Sequence, residues 1–224
     1  PEKFGYYGIA CNDSKVDGPD MSSNDVMWNS KYKGRMAVYD YYFPVIQMIA
    51  ISLGMKPSDV NVQNLEEMIR PKLLELKPQV SLIGDIVGVQ NALVSGNVDM
   101  IVAGAEFAVS VLATERPELQ WTIAENGGLI WTQGLAIFED SKKKDLANEF
   151  VKWVISPEGQ GLLATSDCYW AMPTNSKAAL NDAQKQILRW DEQPGFLAKS
   201  HLSFLPQPEL DAAMLELWME FVQS

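Results

Sequence analysis

The feature that most constrains this chain is an alternation that stops. As far as Phe138, short runs rich in β-branched and aromatic residues trade places with helical stretches. KGRMAVYD, QVSLIG, NVDMIVAG and LQWTIA read as strands, with helix patterns between them. Such alternation specifies an α/β unit built around a mixed sheet. From Ser141 onward the pattern is helix after helix, and no further strand is expected. Ser156-Pro157-Glu158 is a helix start: a capping hydroxyl, a proline where no N–H is needed, and an acid near the positive end of the dipole. Leu210, Ala213, Met214, Leu217, Trp218 and Phe221 form one stripe of a last helix, a packing face.

Smaller signals refine this outline. FGYYGIAC (residues 4–11) is a strand with two glycines, which mark a bend or a close approach of other atoms to the backbone. DSKVDGPDMSSND is a loop by its Gly, Pro, Ser and Asp content. Residues 45–53 form a helix apolar on every side and therefore buried, with Pro44 in its first turn and Gly54 beyond its end. Asn61–Leu76 is a helix that Pro71 must kink or split. Residues 127–138, GGLIWTQGLAIF, form the longest strand-like run. VYDYYFPVIQMIA (38–50) sets polar-tipped aromatics at the mouth of the buried helix, where they either line a cleft or plug a junction between strand and helix.

Composition narrows the function classes. The net charge is −11, from 18 basic and 29 acidic residues, and no basic block offsets it. That argues against nucleic acid and anionic lipid as partners. No apolar run approaches the roughly eighteen residues of a membrane helix. The single histidine, His201, lies in a polar turn, so neither a Ser–His–Asp triad nor a zinc site of ordinary His/Cys density is expected. No catalytic group, metal or cofactor is assigned, and an enzyme is disfavoured. Cys11 and Cys168 form no CxxC and read as two buried thiols rather than a disulfide.

Three stretches, in order along the chain, resemble the spermidine/putrescine-type periplasmic substrate-binding proteins of ABC transporters. PEKFGYYGIACN is similar to that family's Pro-x-x-aromatic-Gly-x-x-x-Ile-x-x-Asn strand. MWNSKYKGRMAVYD resembles its segment around Tyr-Lys-Gly. ENGGLIWTQGLAI resembles its Glu-Gly crossover strand with a central Trp, followed by a helix and a PTN turn at Pro173–Asn175. The resemblance implies an α/β fold of the type II periplasmic-binding-protein kind: two lobes joined by crossing strands, with the ligand in the cleft between them. It divides the chain into a hinge-crossing strand (1–12), a second lobe (13–128), and a return crossover with the helical C-terminal part of the first lobe (129–224). The opening units of the first lobe would then be missing, leaving an exposed apolar face and the prospect of self-association.

The resemblance also implies where a ligand sits: at strand ends and helix N-termini facing the cleft. The expected ligand-binding residues are Tyr6 and Tyr7 on the crossing strand, Tyr39, Asp40 and Tyr41 at the junction, and Asp85. Trp131 and Gln133 on the return strand and Trp170 before the PTN turn complete the set. Asp85 could reach a ligand cation but, just before a helix, reads more often as its N-cap, and Glu106 has the same ambiguity. Tyr169 and Trp170 read equally as site or core. The family's carboxylates for a diamine are not retained: their positions read Tyr41, Pro44 and Gln133, and a stacking Trp is replaced by Gly104. The function implied is an extracytoplasmic solute-binding component that hands a small molecule to a membrane ABC permease. The alternative is a cytosolic effector-binding domain of a regulator on the same fold.

Overall fold

The computed structural model describes residues 1–224. The chain runs β1 (Lys3–Asn12), β2 (Met36–Tyr39), α1 (Tyr42–Ser52), α2 (Val62–Asn64), a π-helical turn (Leu65–Ile69), α3 (Arg70–Leu76), β3 (Val80–Gly84), α4 (Ile86–Val94), β4 (Met100–Gly104), α5 (Glu106–Ala113) and β5 (Leu119–Thr122). It continues with β6 (Leu129–Gln133), α6 (Lys144–Val154), α7 (Pro157–Ala164), β7 (Met172–Pro173), α8 (Asp182–Ile187), α9 (Gln193–Lys199), β8 (His201–Leu202) and α10 (Pro208–Gln223). No helix is long and apolar enough to cross a membrane.

The strands follow the order β3-β2-β4-β1-β6-β8, with β5 and β7 also paired to β1. β2 runs parallel to β3 and β4, and β6 parallel to β8, while every partner of β1 is antiparallel to it. β1 has two halves. Lys3 to Tyr7 pair with β6, and Gly8 to Cys11 pair with β4, with β5 along Ile9 to Asn12 on the opposite edge. One strand therefore serves both ends of the sheet, and the register slips between Gly8 and Ile9 where it passes from one to the other. Gly8 is required there: a Cβ on it would lie 2.6 Å from the Thr122 carbonyl oxygen.

Period-2 alternation feeds two cores. Met36, Val38, Met100 and Val102 face one side with α1 and α10, and Ala37 and Ile101 face the other with α4, α5 and Trp121. α1 starts three residues earlier than the sequence suggests, at Tyr42, which places Pro44 inside its first turn. The α2–α3 stretch keeps going through Pro71. Because that proline has no N–H to offer, the preceding turn widens and the Arg70 amide reaches back to the Leu65 carbonyl.

Beyond β6 the outcome departs from the sequence reading in two ways. The strand stops at Gln133 rather than Phe138, and the Glu2 amide bonding to the Gln133 carbonyl is its last rung against β1. The later region also holds two short strands, β7 and β8, which add to the edges of β1 and β6. Cys11 is buried, but Cys168 is exposed, and the two are free thiols. Burial pushes the Cys11 thiol up to about 12.

Candidate functional site

The C-terminal ends of the parallel strands and the N-termini of α1, α4 and α5 converge on one cleft, the usual ligand position in an open α/β sheet. Its volume is about 740 Å³. One wall is a chain of rings in edge and tilted contact. Tyr7 meets Phe107 at 5.6 Å, Phe107 meets Tyr39 at 6.0 Å, Tyr39 meets Tyr41 at 6.1 Å, and Tyr41 meets Phe43 at 5.9 Å. The facing wall is β6, from Ile130 to Gln133, with Trp131 against Tyr169 at 6.5 Å and the Tyr169 hydroxyl donating to Gln133 Oε1 at 3.1 Å. Residues 202–205 and Cys168 close the ends. The lining contains no Asp, Glu, Lys, Arg or His.

The nine residues expected from the sequence divide. Tyr7, Tyr39, Tyr41, Trp131 and Gln133 come together around this cleft. Tyr6 does not: successive side chains of a strand point to opposite faces, so it enters the second core, where its hydroxyl donates to Gln193 Oε1 at 2.7 Å. The same one-residue alternation decides the other pair, with Tyr169 in the cleft and Trp170 in the core. Asp40 accepts the Trp218 indole N–H at 3.0 Å and so ties the junction to α10. Asp85 is the N-cap of α4, its Oδ1 accepting from the Gly88 amide at 2.7 Å. Phe107, Phe43 and residues 202–205 were missed. Phe107 follows Glu106 at the start of α5, and a strand-to-helix junction was the signal that could have found it.

Burial pushes the Tyr39 hydroxyl up, with Tyr41, Asp85 and Asp40 adding to the shift, and does the same to Tyr7. Tyr39 and Tyr7 are therefore neutral hydroxyls near neutral pH, able to donate or accept a hydrogen bond. No group of three or more His, Cys, Asp or Glu side chains is placed to hold a metal ion. The cleft offers π faces, four tyrosine hydroxyls, two glutamine amides, Thr132 and Ser203.

A sequence profile described as bacterial extracellular solute-binding protein matches residues 4–194. The chain belongs to that family. It is 26% identical over 181 residues to the spermidine/putrescine-binding periplasmic protein of Escherichia coli (strain K12), a match covering 80% of this chain and 50% of that protein. With spermidine/putrescine-binding periplasmic protein 1 of Haemophilus influenzae the identity is 22% over 189 residues, covering 84% and 50%. The chain thus spans about half the length of the relatives it matches. Its fold superposes on the spermidine/putrescine ABC transporter substrate-binding protein of Streptococcus pneumoniae with a TM-score of 0.82 at 20% identity, over 100% of this chain and 68% of that one. A periplasmic thiamin binding protein superposes with a TM-score of 0.65 at 14% identity, over 99% and 65%. The fold class is the α/β type II periplasmic-binding-protein kind expected from the sequence.

Proposed function

We propose that this chain is part of the solute-binding component of an ABC-type uptake transporter, acting outside the cytoplasm and delivering a small molecule to a membrane permease. The observation that carries the reading is the aromatic cleft at the strand ends, in a chain of this family. The chain works by binding rather than catalysis. An effector-binding domain of a regulator gains no support, since the matched family is one of extracellular solute-binding proteins and the relatives above are periplasmic.

The lining also shapes the ligand. A diamine carries two ammonium groups, and burying either without a carboxylate costs several kcal/mol. This cleft presents Tyr41 and Gln133 where the resembling family supplies acids, and Asp40 is engaged with Trp218. The chemistry here suits an uncharged, ring-bearing solute stacked between the tyrosine wall and Trp131, with amide and hydroxyl groups reading its polar edge. The exposed cleft thiol supplies the test. Alkylation of Cys168 in the full protein is followed in the presence of uncharged heteroaromatic solutes, putrescine and spermidine, while Cys11 stays buried and unreactive. Protection by a ring-bearing solute supports the reading. Strong protection by putrescine, confirmed by micromolar calorimetric affinity, overturns the ligand class, and no protection by any solute overturns the site.

A further inference from the structure

Behind the Trp131 wall lies a carboxylic acid that the cleft does not use. Glu106 is fully buried at the first position of α5. The strand pairing explains why it is there. On one edge of β1, β7 bonds to Lys3 and Phe4 and β4 bonds from Gly8 onward, which leaves the intervening Tyr6 amide without a strand partner. The Glu106 carboxyl fills that gap, accepting from the Tyr6 N–H at 3.0 Å with one oxygen and 3.3 Å with the other. It does so at the expense of a side chain on Gly5. A Cβ there would lie 1.8 Å from Glu106 Oε1 and 2.4 and 2.6 Å from two atoms of the Trp131 ring. Carboxyl and indole therefore crowd the same point above the Gly5 backbone.

Two further observations point the same way. The Trp131 Nε1–H is buried and has no hydrogen-bond partner, a donor left open beside an acid. The chain enters α5 through a left-handed residue: Ala103 holds φ 56 within the buried end of β4, a conformation that only firm surroundings maintain in a residue with a Cβ.

We propose that Glu106 is a proton-linked positioning residue of the cleft: in its neutral form it seats the Trp131 ring in the cleft wall, and loss of its proton draws the open indole N–H to the carboxylate and re-aims that ring. Burial pushes the Glu106 carboxyl up to about 8, against the opposing hydrogen bonds from the Tyr6 amide and its own. The groups facing it are few. Tyr6 and Tyr7 on β1 have hydroxyls held up by burial, with Glu106 among the contributors. From β6 there is only the uncharged Trp131. The nearest cation of the crossing strand, Lys3, has its Nζ 4.0 Å over the Tyr169 ring and forms no ion pair with Glu106. No cation is paired with Glu106, so the proton is what keeps it compatible with its site.

The inference deepens the cleft reading, since the angle of Trp131 matters to a solute only if the cleft binds one. Its test needs no solute, so the two fail separately. The full chain carrying Cys168→Ser, which removes the exposed cleft thiol, is titrated from about pH 6 to about pH 10 while near-ultraviolet circular dichroism and tryptophan emission are read. The expected result is one step near pH 8 that vanishes in Glu106→Gln, whose amide oxygen still accepts from Tyr6, and vanishes in Trp131→Phe. Far-ultraviolet circular dichroism checks that each variant is folded. If Glu106→Gln does not fold, Trp131→Phe against its parent decides. No step in the parent, a step that survives Glu106→Gln, or a step unchanged in Trp131→Phe overturns the proposal.

Discussion

α1 and α6 are each eleven residues long, yet they live in different surroundings. In α1 every residue from Phe43 to Ile51 is buried, between the sheet on one side and α10 and α3 on the other. In α6 only Val154 is buried; the helix packs mainly on α7, and Leu146, Phe150 and Trp153 stand 66%, 56% and 48% exposed. The sequence patterns are opposite as well. α1 is apolar all round, as a helix between two layers must be, whereas α6 is amphipathic, as a helix with one layer to cover must be. A helix's pattern thus declares how many layers it expects. α6 declares one that this chain does not supply.

The comparison is broken most directly by truncating one apolar residue in each helix. Ile49→Ala in α1 is expected to cost about 2–5 kcal/mol in chemical denaturation, through lost burial and the cavity left behind. At concentrations low enough to keep the chain monomeric, Phe150→Ala in α6 is expected to fall within about 0.5 kcal/mol of the parent. Equal losses at the two sites would show that α6 is covered in solution.

The acid behind the cleft gives the next largest effect. The folded-state value of Glu106 lies above its ordinary 4.5, at about 8, so the folded chain holds this proton more tightly than the unfolded one. Its contribution is therefore fully present below about pH 4.5 and is lost as the pH rises to about 8. The unfolding free energy of the parent should fall across that window relative to Glu106→Gln, by about 3 kcal/mol between its acid end and neutrality. Parallel pH profiles for parent and variant would remove Glu106 as the source.

The uncovered face makes a prediction about assembly. Leu146, Phe150 and Trp153, with Leu162 on α7, form apolar surface of a kind monomers seldom leave bare. We propose that the chain self-associates through it. Light scattering should report a mass that rises with concentration and returns to the monomer value in Leu146→Glu/Phe150→Glu. A clean monomer at high concentration in the parent would count against the idea.

How much of this was legible in the sequence follows from the same physics. Periodicities were readable wherever one neighbour layer decides them, so the α/β alternation, the all-round burial of α1 and the docked stripe of α10 could be read. Gly5 and Gly8 announced close approach, and what approaches is Glu106 with Trp131 at one and the Thr122 carbonyl at the other. The end of β6 was not legible, because residues 135–138 prolong the apolar, strand-like run without pairing to another strand. In the cleft, the segments were legible but not the parity within them. Tyr6 against Tyr7, and Tyr169 against Trp170, differ by one residue on elements whose facing is set by distant partners. Asp40 and Asp85 showed their chemistry but not that Trp218 and the Gly88 amide would claim it.

The smallest effects sharpen the contrast between the two helices through their polar ties. The Tyr42 hydroxyl at the first turn of α1 donates to Asp211 Oδ1 on α10 at 2.7 Å, and this bond is the main reason its hydroxyl is pushed up to about 12. It joins two elements far apart in sequence at a half-buried site, so Tyr42→Phe should lower stability by about 0.5–1.5 kcal/mol. On α6 the corresponding polar contact is Lys152 with Glu149, one turn apart and both about 70% exposed. Such a pair holds nothing that the helix does not already hold, and water competes for both ends. Lys152→Ala should therefore change the unfolding free energy by no more than about 0.5 kcal/mol, and added salt should erase the difference. A Lys152→Ala loss as large as that of Tyr42→Phe would mean that α6 is fastened through its polar side, and the bare face would then need another explanation than a missing layer.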